Sequence, residues 1–171
     1  MLTEEQKKKI YEDGFNFEMN NGGCAQCTLA SIKENLGTVT DDTFKAATAL
    51  AGGAAASGHC CGGFTGGILA ISSFLGRDWE NFATEEGNDN KNKATMLARK
   101  LLAKFEEEYG SCNCADIHEK VYGKVYHMYI PEEKAAFLEA GGHGPNGCTK
   151  VVGNAAVWTA EILDEAGLLD K

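Results

Sequence analysis

Along most of this chain apolar residues recur every three or four positions, a period that predicts helices rather than strands. Thr3 followed by Gln6 reads as a capping box opening a first helix, with Tyr11, Phe15 and Met19 on one face. Residues 20–23 break it. A second helix is predicted over Cys24–Leu36, with Ala25, Leu29, Ile32 and Leu36 in one row and Gly37 as the terminating glycine. Asp41 is the predicted cap of a third, alanine-rich helix reaching about residue 51.

Residues 52–67 change character. They hold seven glycines and the adjacent pair Cys60 and Cys61, and the rest is too apolar for a flexible linker. Phe64, Ile68, Ile71 and Leu75 recur at helical spacing, so a fourth helix is predicted to start near Gly62. Its other face carries Gly63, Gly66, Gly67 and Ala70, small residues that let a backbone or a cofactor approach closely. Residues 76–91 read as a polar loop, and 93–109 as a fifth helix with Leu97, Leu101, Phe105 and Tyr109 in one row. A short helix is predicted from Ala115. The aromatic and β-branched content of residues 120–130 admits a short strand or hairpin. Pro131 suits the first position of another short helix. Residues 141–147 form a second glycine-rich loop, and Cys148 opens a last helix whose buried row is Val151, Ala155, Trp158 and Ile162. The expectation is one all-α domain over residues 1–171, a single-domain helical bundle without internal repeats.

Charge narrows the partners. The net charge of −9 argues against nucleic acid or an anionic membrane, since both require a positive patch. No apolar run approaches the ~20 residues needed to span a bilayer. Residues 1–9 are charged and lack the apolar core of a signal peptide, so a cytoplasmic location is expected. Seven cysteines in such a chain point to reduced thiols, and the odd count excludes complete internal disulfide pairing.

Four of those cysteines, Cys24, Cys61, Cys114 and Cys148, stand where helices are predicted to begin. A helix N-terminus stabilises negative charge, and the thiolate is the form that binds metals and does redox chemistry. Their spacings of 37, 53 and 34 residues fit neither a clustered ferredoxin motif nor two close zinc-finger pairs. A shared site would have to be assembled from distant helices.

The same residues resemble the C-GCAxxG-C-C family of redox-active proteins. Cys24 in Gly23-Cys24-Ala25-Gln26 matches its first cysteine, and Cys61-Gly62-Gly63-Phe64-Thr65-Gly66 its central motif. Cys114, after a long helix, matches the third, and Cys148, opening the last helix, the fourth. The similarity runs from about Phe15 to Leu163. Gly63 stands where the family usually has Ala, and residues 120–147 are longer than usual. The resemblance implies a redox function. A related domain in split-Soret cytochromes is associated with a 2Fe–2S centre, which implies an iron–sulfur cluster held by the four cysteines. Gly62, Gly63 and Gly66 would then lie against the cofactor, and an oxidoreductase would be the partner.

Other chemistries stay open at this stage. Thiolates also suit zinc, which would make the chain a zinc-stabilised interaction module. Cys24 and Cys27 form a C-x-x-C pair at a helix start, which fits a thiol–disulfide oxidoreductase. Cys27 is followed by Thr28, which argues against covalent c-type haem. Cys27, Cys60 and Cys112 are possible additional ligands, with packing as the simpler role. His59 adjoins the Cys60–Cys61 pair and His143 lies in the loop before Cys148, where either could ligate or hydrogen-bond a centre, whereas His118 and His127 have no motif around them. The tyrosines at 122, 126 and 129 serve core packing or a homodimer surface.

Overall fold

A computed structural model describes residues 1–169. Among them the chain forms eight α-helices and no sheet: α1 Glu4–Asn21, α2 Cys24–Leu36, α3 Asp41–Ala46, α4 Gly62–Leu75, α5 Glu85–Tyr109, α6 Cys114–Tyr122, α7 Pro131–Glu139 and α8 Cys148–Glu165. The all-α expectation holds. Helix α8 is the central element. Its faces carry Val151, Val152, Ala155, Ala156, Ala160, Ile162 and Leu163, all buried, and α1, α2, α4 and α5 pack around it. No helix among the described residues is long and apolar enough to cross a membrane.

Small residues set the helix separations. On α1, a Cβ on Gly14 would meet the Ala156 Cβ at 3.2 Å and the Val152 carbonyl oxygen at 3.3 Å. On α8, a Cβ on Gly153 would meet the Tyr11 ring at 2.8 Å. This close crossing rotates α1 from its expected register. Its buried row is Ile10, Gly14 and Glu18, not Tyr11, Phe15 and Met19, because the helix must present Gly14 to α8. The rotation carries Glu18 into the interior at 2% exposure.

Helices α2 and α4 cross just as closely. A Cβ on Gly66 would stand 2.5 Å from the Ala25 carbonyl oxygen and 3.1 Å from its Cα. A Cβ on Gly62 would collide with the Cys24 sulfur and lie 2.8 Å from the Ala25 nitrogen. Backbone packing therefore fills the space beside Gly66, while Gly62 is placed against a candidate site cysteine. Gly63 faces Ala155 of α8, where a Cβ would be 3.2 Å away.

Four local expectations change. Thr40, not Asp41, caps α3, its hydroxyl accepting the Thr43 amide at 3.2 Å. That helix ends at Ala46 rather than near residue 51, with a short 3-10 turn over Thr48–Leu50. Beyond it Gly52, Gly53, Ala54, Ala55 and Ala56 all have positive φ, between 52° and 81°. Such a left-handed run disfavours L-residues by about 1–2 kcal/mol each. Local backbone bonds hold it, among them Ala54 N–H to Leu50, Gly58 N–H to Gly52 and His59 N–H to Gly53. Helix α5 starts at Glu85, eight residues before its expected start. Thr84 caps it and Glu85 and Glu86 complement its dipole, but its first two turns are mostly exposed and so carry little apolar period. Residues 120–130 form no strand. Tyr122 and Tyr126 instead join a cluster in which they, His118 and Phe137 lie ring against ring at 5.1–6.0 Å, while Tyr129 is exposed beside His127 rather than in the core.

The α2–α4 crossing gives a direct prediction. Gly66→Ala forces a methyl group against backbone that no side-chain movement can clear. It should cost about 1–3 kcal/mol, read as a lowered urea midpoint. Thr65→Ala, next to it on a half-buried position, should move the midpoint far less.

Candidate redox centre

All four cysteines occupy helix starts. Cys24, Cys114 and Cys148 are the first residues of α2, α6 and α8, and Cys61 is the N-cap of α4. The α1–α8 and α2–α4 crossings bring the starts of α2, α4 and α8 together, and backbone pairing of residues 59–61 with 112–114 adds the start of α6. Cys24, Cys114 and Cys148 line one cavity of about 270 Å³, together with Glu18, His118 and His143. Cys61 lies deeper, in the core cluster with Phe64, Phe105, Val151 and Ala155.

The thiols act on one another. Burial raises Cys24 well above the ordinary value, with Cys61, Glu18 and Cys114 adding to the effect. Burial likewise raises Cys61, followed by Cys114 and Cys148. Cys148 is raised by burial and further by Cys24, Glu18 and Cys114. Every pairing among the four is thus within electrostatic reach. Cys114 is pushed up to about 11, first by burial and then by the charge of Glu18.

Several donors oppose these shifts. The Gly52 backbone, aimed by the left-handed turn, lowers Cys24. The Gly63 and Phe64 amides of the first turn of α4 lower Cys61. Tyr122 serves Cys148 twice. Its hydroxyl oxygen accepts the Cys148 amide at 2.8 Å, and its single proton has the Gly142 carbonyl at 2.9 Å and the Cys148 sulfur at 3.3 Å as acceptors. An ionised sulfur would be the stronger of those two acceptors.

Glu18 is the group that sequence reasoning missed. Its carboxyl acts on Cys24, Cys27, Cys114, Cys148 and Tyr122. Its Oε2 is buried without a hydrogen bond, and Oε1 lies 3.1 Å from His143 Nδ1, close but not in line for a hydrogen bond. The one available signal was its spacing of four from Gly14, the residue that faces α8. His118 is the second omission. Only 2% exposed, it places Nε2 3.6 Å from the Cys114 sulfur, and its pKa is lowered by burial, the Tyr126 backbone opposing. The i,i+4 spacing from Cys114 on a helix was its legible trace.

Of the remaining cysteines and histidines, Cys27 adjoins Glu18 and Cys24, and the others stand apart from the cavity. Cys27 is buried and donates to the Gly22 carbonyl at 3.0 Å, with burial raising its pKa strongly and Glu18 adding to it. Cys60 and Cys112 neighbour each other and do not line the cavity. His59 is exposed, and His127 pairs with Glu133 at 2.9 Å. Among the described residues no three His, Cys, Asp or Glu side chains are arranged to hold a single metal ion.

Helix starts that deliver three thiols to one cavity and set a fourth, Cys61, in the core beside them define a cysteine-rich helical domain. A family model described as "Putative redox-active protein (C_GCAxxG_C_C)" matches residues 23–162, and the chain belongs to that family. The match includes all four cysteines, the central Cys61–Gly66 motif and most of α8. No curated protein and no solved structure gives a match.

Two measurements follow from the electrostatics. A folded-state thiol pKa above the unfolded value stabilises the fold while the thiol is protonated, and this contribution disappears as pH rises through the folded value. Reduced, metal-free protein should therefore lose stability from about pH 9 to 11, Cys114 accounting for at most about 3 kcal/mol of the loss. Urea midpoints against pH check this, and Cys114→Ala should flatten the fall. Glu18→Gln should move thiolate formation to lower pH by about 1 unit, read by ultraviolet absorbance, because it removes a neighbouring negative charge.

Proposed function

We propose that the protein is a small electron-transfer protein. In this reading Cys24, Cys61, Cys114 and Cys148 hold an iron–sulfur cluster, most simply 2Fe–2S, and a partner oxidoreductase exchanges electrons with it. The observation that carries the reading is the mutual reach of four thiols at four helix starts, three lining one cavity and Cys61 in the core beside them. Family membership supports the redox role, and the cluster is the step beyond it.

The donor set fits such a group. All four donors are thiols, the ligands that soft metals and iron–sulfur clusters take. They are close enough to influence one another, yet no three of them converge on one point among the described residues. A cluster distributes its ligands over more than one iron, whereas a structural zinc gathers all four on one ion. Thiol–disulfide exchange is less well supported. Burial keeps Cys24, Cys61 and Cys148 protonated near neutral pH, whereas exchange requires an accessible thiolate.

When bound, an iron–sulfur cluster supplies one-electron oxidation and reduction. The chain's own contributions are positional and electrostatic. Four helix N-termini offset negative charge, each by about 0.3–1 kcal/mol. The Gly52, Gly63 and Phe64 backbones and the Tyr122 hydroxyl hydrogen-bond the sulfurs, which raises a reduction potential. Glu18 works in the opposite direction, since its carboxylate disfavours added negative charge nearby. Deprotonation of four buried thiols accompanies loading, so binding should release protons and weaken at low pH.

Anaerobic purification followed by iron and sulfide analysis tests the reading. Stoichiometric iron and acid-labile sulfide, with an electron paramagnetic resonance signal on reduction, is the expected result. Cys61→Ser should abolish or destabilise the centre. Protein that folds without iron or sulfide after supply of both, or a Cys61→Ser variant with unchanged visible spectrum and metal content, would remove the proposal.

A further inference from the structure

Two thiols outside the four-cysteine group lie together on a short backbone ribbon. Residues 59–61 and 112–114 run antiparallel, with Cys60 bridged to Asn113. The Cys61 amide donates to the Cys112 carbonyl at 2.8 Å, and the Cys114 amide to the His59 carbonyl at 2.6 Å. The Ala115 amide continues the pairing to Gly58 at 3.0 Å. Cys60 and Cys112 are both free, both half-buried and both packed on the edge of the same core cluster. The ribbon sets Cys60 one position out of register from Cys112, and after burial Cys60 is the neighbour that acts most on the Cys112 thiol. Cys27 is buried and donates to the Gly22 carbonyl, and its neighbouring thiol is Cys24 of the four-cysteine group.

We propose that Cys60 and Cys112 form a reversible disulfide site, oxidised by exchange with a small-molecule or protein disulfide. One cysteine thiolate attacks the incoming disulfide, forming a mixed disulfide and expelling the first thiol. The second cysteine then attacks its partner's sulfur and expels the second thiol. One sulfur–sulfur bond breaks and one forms. Two electrons pass from the cysteine sulfurs to the oxidant, and two protons leave with the two released thiols. The bond joins positions 52 residues apart and covalently fastens the ribbon whose inner residues are Cys61 and Cys114. It constrains the unfolded chain and so stabilises the fold.

The test uses the full chain, reduced, freed of reductant and exposed to oxidised glutathione. Thiols are then trapped with maleimide in denaturant, and the protein is mapped by mass spectrometry without reduction. The expected product has lost two hydrogen atoms, labels five cysteines rather than seven and yields a peptide joining Cys60 to Cys112. It should melt at higher temperature than reduced protein, and dithiothreitol should restore the original midpoint. In Cys60→Ser the pair cannot close, so Cys112 should retain a glutathione adduct. Cys112→Ser should leave the adduct on Cys60. Unchanged helical circular dichroism in both variants separates loss of the bond from loss of the fold. Separate, stable glutathione adducts on Cys60 and Cys112 in the wild type would overturn the proposal. So would a bond mapped to any other pair, or seven free thiols after exposure.

Discussion

The close crossing of α2 and α4 is the constraint on which the candidate site depends. Two glycines one helical turn apart, Gly62 and Gly66, let α4 rest on the backbone of α2 at Ala25. That approach sets the start of α4 beside the start of α2, and with it Cys61 beside Cys24. A side chain at either glycine would separate the two helix ends. The α1–α8 crossing, through Gly14 and Gly153, does the equivalent for Glu18 and the last helix. Helix spacing here is site geometry, because the reactive groups are at helix termini and their separation follows from the contacts between axes.

The electrostatics of the pocket oppose each other by construction. Burial and the Glu18 carboxylate favour neutral thiols, while helix N-termini, backbone amides and the Tyr122 hydroxyl favour thiolates. Neither set removes the other. The balance favours protonated thiols while leaving hydrogen-bond donors aimed at the sulfurs. His118, pressed among aromatic rings beside Cys114, adds a titratable neighbour whose burial favours the neutral form.

Much of the architecture was legible because capping and periodicity are local. The four cysteines were placed at helix starts by the apolar rows that follow them, and α2, α4 and α8 begin there. Where the reading erred, a tertiary contact outweighed a local pattern. The Tyr11, Phe15 and Met19 row looked like an inward face, but Gly14 had to meet α8. The start of α5 was hidden because exposed helical turns need no apolar residues. The tyrosines of residues 120–130 looked like strand because aromatic content is shared by strands and by aromatic clusters between helices. Glu18 could not be seen as a site residue before the α1 register was known, and Tyr122 acts on a residue 26 positions away in sequence.

The left-handed run from Gly52 to Ala56 has a consequence for the history open to this sequence. Ordinary surface loops absorb substitution freely, yet here handedness itself is a filter. Branched side chains are disfavoured at every one of the five positions by their own backbone, whatever solvent or neighbour they meet. At Gly53 even a methyl group would press on the backbone of Gly58 and His59. A segment with little hydrophobic burial is thereby as narrowly specified as the core. Insertions and drift in this protein should accumulate on the outer turns of α5 and α7, not in the loop that aims an amide at Cys24.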